Sequence, residues 1–476
     1  MVNTEGPELV LGLVTPIGTN TVALAEAVVG ALSDYSYESM VIKLSEHLPY
    51  GAVPLGERED KRVRRLIAAG NAFCGEHTSA EQPDGDPAAL ARLAIRQIQR
   101  LRLQLLRQDG ETARAAELRR GRSRTAYVLH SLKRPAEVQL LRRVYGEQFV
   151  LIGSQAALSQ REQNLLDRPM TIGDADGKLR LTRELIRLDA EEREPMGQRV
   201  NETYPLSDFF LSGNQVRRVI DLLFGEPIAP EVGEYAMYVA RAARARSLSA
   251  SRKVGAAIVV GGAVVSTGYN DVPPGQTPDV LAGEDTSERF KQDNVADTMR
   301  RLRDAGLLSD SVDGIGDDDL ATLVLPALKD GELLSVIEYQ RAVHAEARAL
   351  DDATVRGVRP VDGDLYVTTY PCHLCYKHAL SAQIATIRYI EPYPKSRASA
   401  MYPMGSIDRL LPYEGVAPRR YVQVFDDRPP FLSDSSGKFQ QRDRSVASPL
   451  LGPVRNDDDR HAEERLAING LREGYQ

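Results

Sequence analysis

Two short stretches decide how this chain is read: His344-Ala345-Glu346, and Thr368-Thr369-Tyr370-Pro371-Cys372-His373-Leu374-Cys375, whose first cysteine follows the histidine by 28 residues. Cys372 and Cys375 are three apart, so on a helix they share a face and can grip one ion. The pattern predicts a strand ending near Tyr370 that delivers both thiols to a helix N-terminus, where the dipole favours thiolate. Pro371 suits the first turn of such a helix. With His344 as third ligand, one position of a tetrahedral zinc stays open to water, as in catalytic rather than closed structural sites. Water held there ionises near neutral pH, and Glu346 is the expected proton carrier. Residues two apart on a regular helix point about 200° apart, so His344 and Glu346 are expected to straddle a helix start. The rival reading is a structural zinc completed by His373, His378 or Cys74. The glutamate after the histidine, the proline and the strand–helix setting favour catalysis. His461-Ala462-Glu463 repeats the tripeptide, but no cysteines follow it, and it reads as the solvated face of a charged helix.

Outward from this core, Ala256–Val260 and Ala263–Thr267 read as strands joined at Gly261-Gly262. Asp364–Thr369 and Thr386–Ile390 read as further strands, with helices from about His344, from Pro371 and over Tyr235–Ala245. Residues 275–335 are acidic and Gly-rich and read as an insertion or lid rather than a core, with a helical interior around Val295 to Leu308. In the first half, residues 8–14, Val41–Leu44, Thr125–Leu129 and Phe149–Gly153 are strand candidates. Helical patterns fall over Thr19–Leu32, through Ile95, Ile98, Leu101 and Leu105, and over Ala136–Tyr145. Strands alternating with helices indicate an α/β fold with a mostly parallel sheet. The expected domains are 1–225, 226–430 and a loosely held polar tail, 431–476.

At 476 residues with a net charge of −7, the chain is not a generic polyanion binder. Its longest nearly uninterrupted apolar run, Gly255 to Val265, is far short of the ~20 residues that cross a bilayer. No basic region precedes the first apolar stretch, so no secretory signal is expected. Three cysteines, two of them in the CxxC, exclude a disulfide-stapled fold and make the cytoplasm the expected location. The basic cluster Arg119-Arg120-Gly121-Arg122-Ser123-Arg124 lacks interleaved aromatics and reads as a solvated loop.

The first βα turn follows a P-loop only in part. A P-loop needs Gly, four residues, then Gly-Lys-Ser/Thr. Here Gly12 and Gly18 enclose five residues, and Thr19 stands where the lysine belongs. The strand–turn–helix setting is right but the phosphate-gripping cation is missing. Phosphoryl transfer is therefore not expected, and a nucleotide-sensing or assembly domain with a low-grade site at Gly12, Gly18 and Thr19 is. The alternative is a plain α/β scaffold.

H-x-E…P-C-x-x-C is the signature of zinc nucleobase deaminases. From Val232 to Tyr393 the chain resembles the deoxycytidylate deaminase branch of the cytidine deaminase-like superfamily. Arg252-Lys253-Val254-Gly255-Ala256-Ala257-Ile258-Val259 resembles that branch's first strand, and Thr267-Gly268-Tyr269-Asn270 its second, where the resemblance implies that Asn270 contacts deoxyribose. Tyr376 departs from the smaller residue usual after the second cysteine. The degenerate P-loop domain ahead of it, His130-Ser-Leu-Lys-Arg-Pro-Ala-Glu-Val and Glu391-Pro-Tyr-Pro-Lys-Ser, resemble the bacterial anti-phage dCTP deaminases. The resemblance implies an N-terminal P-loop NTPase-like domain, an α/β/α deaminase domain with one Zn2+, a homo-oligomer, and conversion of dCTP, with dCMP, to the uracil nucleotide. Hydroxide would attack C4 while Glu346 protonates N3. Lys395 could reach a triphosphate. Three rivals stay open: housekeeping dCMP deamination for thymidylate supply, polynucleotide editing, and a non-enzymatic zinc module. The sequence names neither a trigger nor an inhibitory partner.

Overall fold

The computed structural model describes residues 6–48, 56–78, 82–110, 121–156, 158–192, 194–211, 215–250, 252–312, 314–328, 331, 334, 340–393, 396–427, 433, 435–439, 443–454, 456–469 and 471. The chain divides into a first unit, Met1–Tyr235 with Pro412–Gln476, and a second, Ala236–Leu411. The cuts thus fall inside the helix Val232–Arg244 and ahead of the short strand Gly415–Val416, rather than at 225 and 430. Among the described residues no helix is long and apolar enough to cross a membrane.

In the first unit, β1 (Leu9–Val14), β2 (Glu38–Lys43), β3 (Thr125–His130), β4 (Phe149–Ser154) and β5 (Phe209–Leu211) form a parallel sheet in the order β2-β3-β1-β4-β5. Gly415–Val416 adds an antiparallel edge to β5. Strand β1 is buried along its whole length, as expected for a central parallel strand covered on both faces. Leu9, Leu11 and Leu13 pack with Leu24, Val28 and Leu32 of the helix Thr21–Ser33. That helix starts two residues later than the sequence pattern because Asn20 caps it, its side chain accepting from the Ala23 amide. The three-residue β5, Phe-Phe-Leu, is too short to have shown a periodicity.

The tail expectation is corrected at residues 457–468. Asp457–Ile468 is a helix, and its Glu464 carboxylate, 0 % exposed, accepts two hydrogen bonds from Arg102 at 2.8 and 2.9 Å. Arg102 also donates to Glu8 at 2.9 Å, and Arg460 lies 3.1 Å from the same Glu8 carboxylate. The sequence shows none of these pairs because the partners lie far apart in the chain, 94 residues for Arg102 and Glu8 and 362 for Arg102 and Glu464. The basic cluster is corrected in the same way. Arg119 and Arg120 lie outside the described residues, but Arg122 pairs with Asp109 and Glu38, and Arg124 donates to the Tyr35 carbonyl.

In the second unit, β6 (Gly255–Val260) and β7 (Ala263–Tyr269) form the expected hairpin, with Gly261 and Gly262 both at positive φ. β8 (Asp364–Thr369) runs antiparallel to β6, and β9 (Thr386–Glu391) parallel to β8. β10 (Leu410–Pro412) flanks β9. The helix Ala345–Val355 packs on β6 and β7, burying Ala345, Ala349 and Leu350 with Ala256 and Ile258. The 275–335 insertion is not coreless: helices Thr286–Asp304 and Asp317–Leu328 bury Val295, Met299, Leu320 and Ala321 against one another.

Breaking the Arg102–Glu464 pair tests the tail anchor. Glu464→Gln leaves a buried guanidinium short of its counter-ion, and unfolding should be easier by about 3–5 kcal/mol. Burial alone would raise the Glu464 pKa, but the Arg102 hydrogen bonds and charge hold it far below the ordinary carboxylate range. A depressed folded-state pKa contributes stability above the unfolded value, about 4.3, and loses it as pH falls below that. Thermal melts across pH 3–7 should show this acid-labile component in the parent protein and not in the variant.

Candidate metal centre and active site

His344 is the N-cap of the helix Ala345–Val355, in extended backbone (φ −68°, ψ 153°), and Glu346 sits in the first turn. The expected straddling of a helix start is what lets side chains two apart face one cavity. Cys372 is likewise an N-cap, of the helix His373–Ser381, and its Sγ accepts from the Cys375 amide at 3.4 Å. Pro371 therefore precedes the cap rather than opening the helix. His344 Nδ1 lies 3.3 Å from Cys372 Sγ and 3.4 Å from Cys375 Sγ. Among the described residues the metal-ligating group comprises these three, with ligand atoms within 4.8 Å of one another. Neither His373 nor His378 joins it. Two sulfurs and an imidazole nitrogen at this separation fit zinc, with a coordination position left for a non-protein ligand.

The electrostatics follow from burial beside a helix N-terminus. The Cys372 thiol is held down to about 4 by a hydrogen bond from Cys375 and by His344, against the opposing effect of burial. Cys375, which keeps the proton of the pair, is pushed up by that bond and by burial. His344 is raised by its bond to Cys372. Its other nitrogen, Nε2, lies 3.0 Å from Gln340 Oε1, a contact that fixes the ring's orientation and leaves Nδ1 to the metal. Glu346 is 4 % exposed, and desolvation pushes its carboxyl up to about 7.

Gln340, His344, Glu346 and Cys372 line a cavity of about 470 Å³ with Asn270, Asp271, Arg252, Tyr370 and Tyr393. Asn270 lines the cavity, and its side chain is already engaged: Oδ1 accepts from the Val254 amide at 2.6 Å and Nδ2 donates to the Arg252 carbonyl at 2.8 Å. It braces the 252–254 loop while one amide hydrogen remains for a ligand. Lys395 lies outside the described residues. Gly12, Gly18 and Thr19 belong to the first unit. Gly12 stands inside β1, where a Cβ would come within 2.7 Å of Leu132 Cδ1, so packing accounts for it. Gly18, at φ +86°, would bring a Cβ within 2.6 Å of the Arg161 carbonyl.

Gln340, Arg252 and Tyr393 were not singled out from the sequence. Tyr393 lies in the Glu-Pro-Tyr-Pro-Lys-Ser run, and the Arg252 guanidinium sits 5.9 Å from its ring centroid. Gly268 matters most. A Cβ there would lie 2.0 Å from the Ala345 carbonyl oxygen and 2.6 Å from the Ala349 nitrogen. The helix carrying His344 and Glu346 therefore rests directly on the backbone of β7. Arg348 ties the adjoining loop to it, donating to the Asp271 and Val272 carbonyls at 3.0 Å each. Gly268→Ala should push this helix outward and weaken zinc binding by at least about tenfold, read by competition with a chelator. Cys372→Ser should lose the metal from a protein whose first unit stays folded.

Residues 230–391 match the profile described as the cytidine and deoxycytidylate deaminase zinc-binding region. Over 54 residues, 11% of this chain, the sequence is 44% identical to ComE operon protein 2 of Bacillus subtilis (strain 168), and the match spans 28% of that relative's length. Among solved structures, the dCMP deaminase of cyanophage S-TIM5 in apo form aligns with 39% of this chain and 100% of its own, at 16% identity and a TM-score of 0.24. Its complex with dCMP and dUMP aligns with 39% of this chain and 99% of its own, at 17% identity and a TM-score of 0.25. A Thermotoga maritima diaminohydroxyphosphoribosylaminopyrimidine deaminase/reductase aligns with 41% of this chain and 39% of its own, at 14% identity and a TM-score of 0.23. The profile match and the His344–Cys372–Cys375 group together make residues 230–391 a cytidine/deoxycytidylate deaminase-type domain with a zinc-binding region.

Proposed function

We propose that the protein hydrolyses the 4-amino group of free deoxycytidine nucleotides, dCTP and with it dCMP, releasing ammonia and the deoxyuridine nucleotide. The observation that carries this is Glu346: a carboxyl buried to 4 % exposure, beside three zinc-type donors, in a cavity of about 470 Å³. His344, Cys372 and Cys375 would hold the zinc, which supplies the Lewis acidity that brings water's ionisation toward neutral pH.

Glu346 takes the proton of the attacking water and delivers it to ring N3 as the C4–O bond forms. It then takes the proton of the new C4 hydroxyl and passes it to the exocyclic nitrogen, so that the C4 carbonyl forms as the C4–N4 bond breaks with ammonia as the leaving group. A carboxyl pushed up to about 7 is poised to give and take a proton near neutrality. Tyr370 and Tyr393 supply apolar walls for a pyrimidine, and Arg252 is the lining cation that faces a phosphate. A free nucleotide fits this lining better than a polynucleotide, whose extruded base needs a basic, aromatic channel around it.

The first unit supports a regulated enzyme over constitutive thymidylate supply, since the deaminase domain holds every residue the chemistry needs. We read that unit as a degenerate P-loop-like scaffold, and the whole as a device that lowers dCTP in a phage-infected bacterium, as its resemblance to anti-phage dCTP deaminases implies.

Purified, zinc-loaded protein offered dCTP, dCMP, CTP and cytosine-containing single-stranded DNA separately should release ammonia from dCTP and dCMP. Glu346→Gln should keep its zinc and lose about 10²–10⁴-fold in kcat. Turnover of dCMP alone would point to thymidylate supply, and turnover of DNA alone to editing. Unchanged zinc content with no turnover of any substrate would overturn the reading.

A further inference from the structure

The first unit has its own cavity, of about 310 Å³, at the carboxyl ends of β1 and β3, where strand order changes and α/β sheets bind ligands. Its floor is the turn Thr15–Asn20, leading into the helix Thr21–Ser33. Such a turn offers amides to a phosphate, with a lysine to balance the charge. Both kinds of donor are present. The amide is that of Ile17, and the lysine is Lys133, which comes from the loop after β3 rather than from the position after Gly18.

Both are already committed to one carboxylate. Asp189, 2 % exposed, accepts from the Ile17 amide at 2.7 Å through Oδ2 and from Lys133 Nζ at 2.7 Å through Oδ1. Lys133 Nζ also donates to the Thr15 carbonyl at 2.8 Å, closing the group onto the turn. The other cations of the cavity wall also have carboxylate partners. Arg62 and Arg168 both pair with Glu59, and Arg134 pairs with Glu137. Desolvation pushes His130 down to about 4, so it adds no charge at neutral pH. From outside, Arg161 and Asn164 hold the Ile17 and Gly18 carbonyls at 2.8 Å each, which fixes the turn.

We propose that Asp189 is a built-in anion occupying the phosphate position of this turn, so that the cavity excludes nucleoside polyphosphates while Asp189 is in place. An incoming phosphate would meet a buried carboxylate on the donors it needs, and the surplus positive charge that Arg62 and Arg168 share over Glu59 lies away from the Ile17 amide and Lys133 ammonium that Asp189 holds. Replacing that carboxylate with an isosteric amide leaves the Lys133 ammonium without a counter-ion and turns the cavity into an anion site. This inference concerns the first unit alone and stands or falls apart from the deamination reading.

The chain has no tryptophan, so Val22→Trp, at a half-exposed position on the cavity wall, gives a single local fluorophore in the full-length protein. With Asp189 intact, Mg-ATP and pyrophosphate up to roughly 1 mM should leave its emission unchanged. With Asp189→Asn added, both should give a saturable change, at least about tenfold tighter in apparent Kd. A saturable response with Asp189 intact overturns the proposal, as does no response in an Asp189→Asn protein that melts cooperatively. Should that variant not fold, crystals of the unaltered protein soaked in pyrophosphate decide. Asp189 on the Ile17 amide with no anion beside it supports the proposal, and an anion there with Asp189 displaced overturns it.

Discussion

The candidate site depends on a contact between two stretches of backbone. Helix Ala345–Val355 lies so close to β7 that a methyl group at position 268 would sit 2.0 Å from the Ala345 carbonyl. Everything chemical in the second unit is referred to that contact. His344 caps the helix and Glu346 occupies its first turn, so the depth of the helix over the sheet sets where both side chains stand. β6 carries the matching constraint at Gly255, whose Cβ would meet the Ala240 carbonyl at 1.9 Å. Two glycines in neighbouring strands thus let helices approach opposite faces of the sheet more closely than side chains permit. The sheet then presents β8 and its Cys372 end in fixed register, Ala257 facing Tyr366.

Around that frame the site is assembled from groups whose charges would be costly without a metal. A thiol held low, a second pushed up and a buried carboxyl near neutrality share one small volume. Donor set and desolvation point the same way: toward an ion that takes up thiolate charge and toward a carboxyl that changes protonation readily. Asn270 and Arg348 show how the walls are kept in place. One spans the 252–254 loop with both ends of its amide, the other holds the 271–272 carbonyls.

The first unit is organised by internal neutralisation of charge. Arg102 and Arg460 meet Glu8 and Glu464, and Lys133 meets Asp189, all with little or no exposure. A pair buried in this way fixes geometry more than it adds stability, because each ion's desolvation offsets much of the attraction. The same economy ties residues 457–468 to the helix Ala89–Gln108.

By itself the sequence determined the alternation of strands and helices, the Gly261-Gly262 hairpin, the zinc donors His344, Cys372 and Cys375, and the placement of Glu346 beside them. All of these are local signals: apolar runs, turn residues and short spacings that chain geometry converts into a shared face or a helix end. Tertiary structure decided what depends on partners far apart in sequence. Gly268 looks like any strand glycine until Ala345 is laid on it. Asp189 and Glu464 look like solvated helix charges until Lys133 and Arg102 reach them, and Asn270 looks free until the 252–254 backbone takes up its amide. The physical reason is one of range. Backbone preference and periodicity act over a few residues, whereas burial, charge pairing and close backbone approach exist only once the chain has folded.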